Sequence, residues 1–186
     1  MKTTTEYLTE IVQELSQTVH LISESEADAL VEQILKAKKV FVAGAGRSGF
    51  MGKSFVMRMM HMGIDAYIVG ETVTANLEKD DLLIIGSGSG ETKTLVAIAE
   101  KAKSIGGTIA AITISPNSTI GELADIVVKL PGVTKDQSEG DYKTIQPMGS
   151  LFEQTMLLFY DALILSFMDK KGLDSNKMYG KHANLE

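Results

Sequence analysis

The chain has 186 residues, no cysteine, a net charge of −6 and no dense run of lysine or arginine. That length implies one domain able to bury about 70% of the surface its unfolded form exposes, so its core needs no staple. The composition excludes disulfides, thiol catalysis and cysteine-based zinc sites, is compatible with a reducing, cytoplasmic setting, and argues against nucleic acid as a partner.

Glu6 and Glu10 stand where a signal peptide would have its apolar core. Instead, Leu8, Ile11, Val12, Leu15, Val19 and Ile22 recur at helical spacing and predict an amphipathic helix over residues 5–22. Ser23 and Glu26 form a capping-box pattern, so a second helix follows through Leu35. Residues 39–43 read as a short strand.

GAGRSG, residues 44–49, then meets the G-x-G-x-x-G spacing of a dinucleotide loop in the right strand-to-helix context. The acidic residue that a ribose needs about 20 positions on is poorly supplied, because Asp65 precedes the next strand and Glu71 lies beyond it. A Walker loop fails as well: Gly52, Lys53 and Ser54 match its second half, but Arg47 occupies the place of its first glycine. What remains is a polar turn offering Arg47 and Ser48. The helix over residues 49–62 is rich in methionine, which suits packed core or subunit contact.

Residues 65–69 form a second strand, and LLII, residues 82–85, is an unalternating apolar run of the kind covered on both faces by helices. It ends in Gly86, Ser87, Gly88, Ser89, Gly90, Glu91 and Thr92 before a helical run that closes at Gly106-Gly107. Glycines let the backbone approach a ligand, while hydroxyls at a helix N-terminus favour an anion, so a phosphate group is the simplest ligand for this loop. A tight strand-to-helix turn is the alternative. Strands over residues 108–114 and 125–130 follow, separated by a short helix. Strands alternating with helices predict an α/β fold, a three-layer αβα sandwich with a five-stranded, mostly parallel sheet. Its ligand crevice should lie where the loops after the first and third strands converge.

Residues 131–147 are long, polar and bounded by prolines, which suits a lid or binding loop, or else a solvated linker. From Met148 a long helix begins, interrupted as a membrane span by Glu153, Gln154 and Asp161. Glu153 is surrounded by Leu151, Phe152, Met156 and Leu157; a carboxylate among apolar neighbours needs a partner or a task, and base catalysis is one such task. A position on the helix surface is the other outcome. Residues 169–186 read as a tail whose His182 could reach a neighbouring subunit.

GAGRSG, LLIIGSGSGET, the run from Gln146 to Gln154 and the closing KHANLE together resemble a sugar isomerase (SIS) domain. More narrowly, the chain is similar to the 6-phospho-3-hexuloisomerase family of the ribulose monophosphate pathway, essentially from end to end. The resemblance implies a single SIS domain over residues 1–186, with the N-terminal helices 5–37 and the tail 169–186 in subunit contacts. It also implies conversion of D-arabino-3-hexulose 6-phosphate to fructose 6-phosphate through a cis-enediol, in formaldehyde assimilation or detoxification. No metal or organic cofactor is implied, and the protein would be a cytoplasmic homo-oligomer, commonly a tetramer, with no nucleic-acid or membrane partner. Phosphate and substrate fall on Arg47, Ser48 and the loop Ser87, Gly88, Ser89, Gly90, Glu91 and Thr92, with Glu153 as the proton-transferring base and His182 as a proton shuttle or positioning group. A non-catalytic phosphosugar sensor and a dinucleotide-dependent oxidoreductase are the competing readings.

Overall fold

The structure, a computed structural model, describes residues 1–134 and 142–185. Five strands, β1 (Val40–Gly44), β2 (Ala66–Ile68), β3 (Leu82–Gly86), β4 (Thr108–Thr113) and β5 (Ile126–Lys129), form one sheet in the order β2-β1-β3-β4-β5, and every pairing is parallel. The helices are α1 (Thr4–Thr18), α2 (Glu24–Lys36), α3 (Gly46–His61), α4 (Lys93–Ile105), α5 (Thr119–Leu123), α6 (Ser150–Lys171) and α7 (Ser175–Tyr179).

The sheet separates two cores. Leu82 and Ile84 of β3 point to one face and pack with residues of α2, α3 and α6, among them Leu30, Phe55, Met59 and Tyr160. Leu83 and Ile85 point to the other face and meet Leu95, Ala99 and Ala102 of α4 and Ile120 of α5. Both faces are covered, which is why β3 reads as a continuous apolar run. Phe55 and Tyr160 lock α3 to α6 with rings 4.3 Å apart and nearly parallel. Among the described residues α6 is the one helix long and apolar enough by composition to cross a membrane, despite Glu153, Gln154 and Asp161. Many of its apolar residues pack into this core: Phe152, Met156, Phe159, Tyr160, Leu163 and Phe167 are all buried.

Local signals set several boundaries. Thr3 and Glu6 form a complete capping box at the start of α1, Ser23 accepts from the Glu26 N–H at α2, and Gly106 ends α4 in a left-handed conformation. The methionines of α3 and its C-cap divide, with Met59 and the C-cap Met62 buried and Met57 and Met60 exposed. The expected tail contains the short helix α7, and the central part of the expected lid, residues 135–141, lies outside the described residues.

The chain leaves β1 toward β2 on one side and then returns to place β3 on the other, so the winding reverses between β1 and β3. Gly44 and Gly86 end these strands side by side. The crevice beyond that switch point is where open α/β sheets bind ligands. Close packing shapes one of its walls: a Cβ on Gly49 would stand 2.7 Å from the Gly44 carbonyl oxygen. The glycine spacing of GAGRSG thus serves the approach of α3 to β1. Gly49→Ala should lower stability by about 1–3 kcal/mol, read as the urea midpoint. An unchanged midpoint would mean that α3 can back away from β1 without cost.

Candidate active site

A cleft of about 240 Å³ opens over the carboxyl ends of β1 and β3. Ser48 reaches it from the first turn of α3, Ser87, Gly88, Ser89 and Thr92 from the loop after β3, and Phe152 and Glu153 from the first turns of α6. Sequence reasoning assigned Ser48, Ser87, Gly88, Ser89, Thr92 and Glu153 of this lining. Val133 and Thr134 join it from the segment over residues 131–147 that was expected as a lid, binding loop or linker, without having been named, and Gly149 at the N-cap of α6 was not assigned.

The loop after β3 is pinned from several directions. Ser87 Oγ accepts from the Gly90 N–H at 3.2 Å and Ser89 Oγ accepts from the Glu91 N–H at 3.3 Å, which leaves both hydroxyl protons to donate to a ligand. The Gly88 carbonyl accepts from the Thr113 hydroxyl and the Ile114 N–H. Gly90 turns with φ of +66° against Ser118, where a side chain would collide. Thr92 is the N-cap of α4, and its hydroxyl accepts no hydrogen bond from the N–H groups of the helix. Hydroxyl donors, backbone N–H groups and the positive end of a 13-residue helix therefore face one small volume.

Glu153 is 4% exposed, so its carboxylate sits in a largely apolar wall as its neighbours in the sequence imply. It does have a partner. Arg47 Nη1 lies 3.0 Å from Glu153 Oε2 and donates to Ser150 Oγ at 2.8 Å. Arg47 lies against the carboxylate and outside the lining of the cleft. Glu91 also turns elsewhere: its carboxylate accepts from the Thr119 N–H and hydroxyl, and the backbone bond is the main reason its pKa lies below the ordinary value. It borders a larger cavity of about 620 Å³ beside the cleft, shared with Ser89 and Ile114.

His182 is not brought to Glu153 within the chain. Its ring stacks on His61 at 5.2 Å and near Tyr179 at 6.1 Å, in a hollow that includes Asp161 and Leu165 of α6. Those residues follow Glu153 by about 12–18 Å along the helix. Burial, with help from Arg58 and His182, pushes the His61 pKa below the ordinary histidine value.

The SIS domain family profile matches residues 33–158. A Bacillus subtilis protein named 3-hexulose-6-phosphate isomerase is 61% identical over 98% of this chain and 99% of its own length. A Methanocaldococcus jannaschii protein of the same name is 42% identical over 87% of this chain and 84% of its own. The crystal structure of a Methanococcus jannaschii protein with an inferred function of 3-hexulose-6-phosphate isomerase superposes with a TM-score of 0.84 at 38% identity, covering 97% of this chain and 99% of that one.

The approach to α6 is held by a residue that sequence reasoning passed over. Glu14 of α1 accepts from the Thr144 hydroxyl at 2.6 Å, the Ile145 N–H at 2.8 Å and the Gln146 side-chain amide at 2.9 Å. Burial would raise the Glu14 pKa, but these three donors outweigh it and hold the group below its ordinary value of 4.5. A depressed carboxylate adds stability above the unfolded value and loses it as pH falls through the folded one. Glu14→Ala should therefore cost about 1 kcal/mol at neutral pH by urea denaturation, and the gap from wild type should close as the medium is acidified below the ordinary value. A gap that persists in acid would assign the loss to packing.

Proposed function

The chain belongs to the SIS domain family, and we propose that it interconverts D-arabino-3-hexulose 6-phosphate and D-fructose 6-phosphate, the isomerase step of the ribulose monophosphate pathway of formaldehyde assimilation or detoxification. The single observation that carries this reading is Glu153, a carboxylate buried in the wall of a hydroxyl-lined cleft in a chain 61% identical to a protein of that name. Ser48, Ser87, Ser89 and Thr92, with the N–H groups of the loop and of α4, hold the phosphate. The phosphate does not react, so these contacts supply alignment.

Glu153 removes the proton from C2. The electron pair forms the C2–C3 double bond and the C3 carbonyl oxygen takes up a proton, giving a cis-enediol. Loss of the O2 proton and return of a proton to C3 complete the transfer, so one carboxylate serves both carbon atoms. Donors fixed near the developing oxyanion lower the barrier, and a loop N–H or a hydroxyl is better placed for that role than Arg47, which is engaged by Glu153 and Ser150 outside the cleft lining. With O6 phosphorylated, a 3-ketohexose has no hydroxyl placed to close a five- or six-membered ring. It arrives open, so the forward reaction needs no ring-opening acid.

In this reading His182 moves protons between oxygens or positions the sugar in a neighbouring subunit of a cytoplasmic homotetramer. The apolar side chains left on the surface of α3 and α6 support such an assembly: Phe50, Met57, Met60, Leu158 and Leu165 are all exposed in the single chain.

Incubation with fructose 6-phosphate in deuterated water should place deuterium on C3, because enolisation from the 2-keto sugar removes that proton. Label on C1 instead would indicate an aldose–ketose isomerase, and no label at all would indicate a sensor. Glu153→Gln should lower kcat by about 10²–10⁴-fold while leaving fructose 6-phosphate binding intact, and retained turnover would move the base elsewhere. Ser87→Ala and Ser89→Ala should raise KM more than they lower kcat in steady-state assays; the opposite split would put these hydroxyls at the reacting carbons.

A further inference from the structure

We infer that Ser150 is a positioning residue for the reaction, anchoring the arginine that orients the base; the inference rests on the reading of Glu153 as that base. A single guanidinium nitrogen, Arg47 Nη1, carries both contacts, 2.8 Å to Ser150 Oγ and 3.0 Å to Glu153 Oε2. Its two hydrogens are enough for one bond to each. Ser150 and Glu153 are three residues apart on α6 and so share a face, while Arg47 approaches from the first turn of α3. The three residues form a triangle between helices whose sequence positions are 103 apart at the Arg47–Ser150 edge.

Ser150 is buried and Arg47 has a side chain 54% exposed. A long, half-solvated arginine held by one end-on ion pair keeps much of its rotamer freedom. A second, buried acceptor removes that freedom. With Oε2 fixed on Arg47, the carboxylate presents Oε1 as the atom that takes the C2 proton. Without the anchor Arg47 wanders into solvent, and a carboxylate buried without its cation turns toward water, away from the carbon it must reach.

The backbone before α6 fits the same purpose. Met148 has a φ of +56°, a conformation that residues with a side chain rarely take, and Gly149 follows as an N-cap without a side-chain bond to the helix. Ser150 is then already inside the helix, where its hydroxyl is available to a partner across the interface.

The test is a double-mutant cycle on the full-length protein with steady-state kinetics on fructose 6-phosphate. Ser150→Ala should lower kcat by about tenfold or more with KM changed less than about twofold, the loss expected when a reacting group is slightly misplaced. In an Arg47→Met background the same change should have no further effect, because its action passes through Arg47. A kcat unaltered by Ser150→Ala, or losses from the two changes that multiply, would overturn the inference. Glu153→Gln is measured alongside: if it abolishes turnover while Ser150→Ala has no effect, the positioning role alone falls, and if it retains turnover the base assignment falls with it.

Discussion

A carboxylate that is 4% exposed on a helix packed into an apolar core must be compensated. The ion pair between Glu153 and Arg47 supplies this, and much of the architecture around the cleft follows from it. It demands that the first turns of α3 and α6 lie side by side, which the stacking of Phe55 on Tyr160 secures further along the same helices. It also demands that α3 begin immediately after β1, which the contact of Gly49 with Gly44 permits. Removing one member of a fully buried pair leaves an uncompensated charge and typically costs about 3–5 kcal/mol. Arg47 is half-exposed, so solvent screening makes the cost smaller here.

The opposite side of the cleft is organised by neutral hydrogen bonds. The loop after β3 is tied to β4 through Gly88 and to the start of α5 through Glu91 and Gly90. A loop whose backbone is already fixed loses little entropy when an anion arrives, so its donors act at full strength. The cleft therefore joins two different kinds of order: a buried ion pair on one side and a cradle of neutral donors on the other.

The fold was legible because its signals are local. Alternating helical periodicity and apolar runs mark every strand and the long helices, and a single reversal of winding then locates the crevice between the loops after β1 and β3. Ser48, Ser87, Ser89, Thr92 and Glu153 could be named from sequence because loop composition and an isolated carboxylate are visible in a short window. Arg47 was visible as a residue but not as the partner of Glu153, since that pairing spans two helices far apart in sequence. Glu14 was hidden for the same reason: on the sequence it is one polar position of an amphipathic helix, and only the folded chain brings Thr144, Ile145 and Gln146 to it. Glu91 belongs to the same contiguous motif as the serines, yet its carboxylate faces Thr119, a direction no spacing rule supplies.

The residues lining the cleft carry one more property. Those among the described residues are glycine, alanine, serine, threonine, leucine, isoleucine, valine, phenylalanine and one glutamate. Among the described lining residues there is neither an amine nor a thiol, the side chains that electrophilic aldehydes modify most readily. Beside a reactive one-carbon compound these described side chains would stay chemically inert, and the cation that Glu153 engages is a guanidinium already held by a carboxylate.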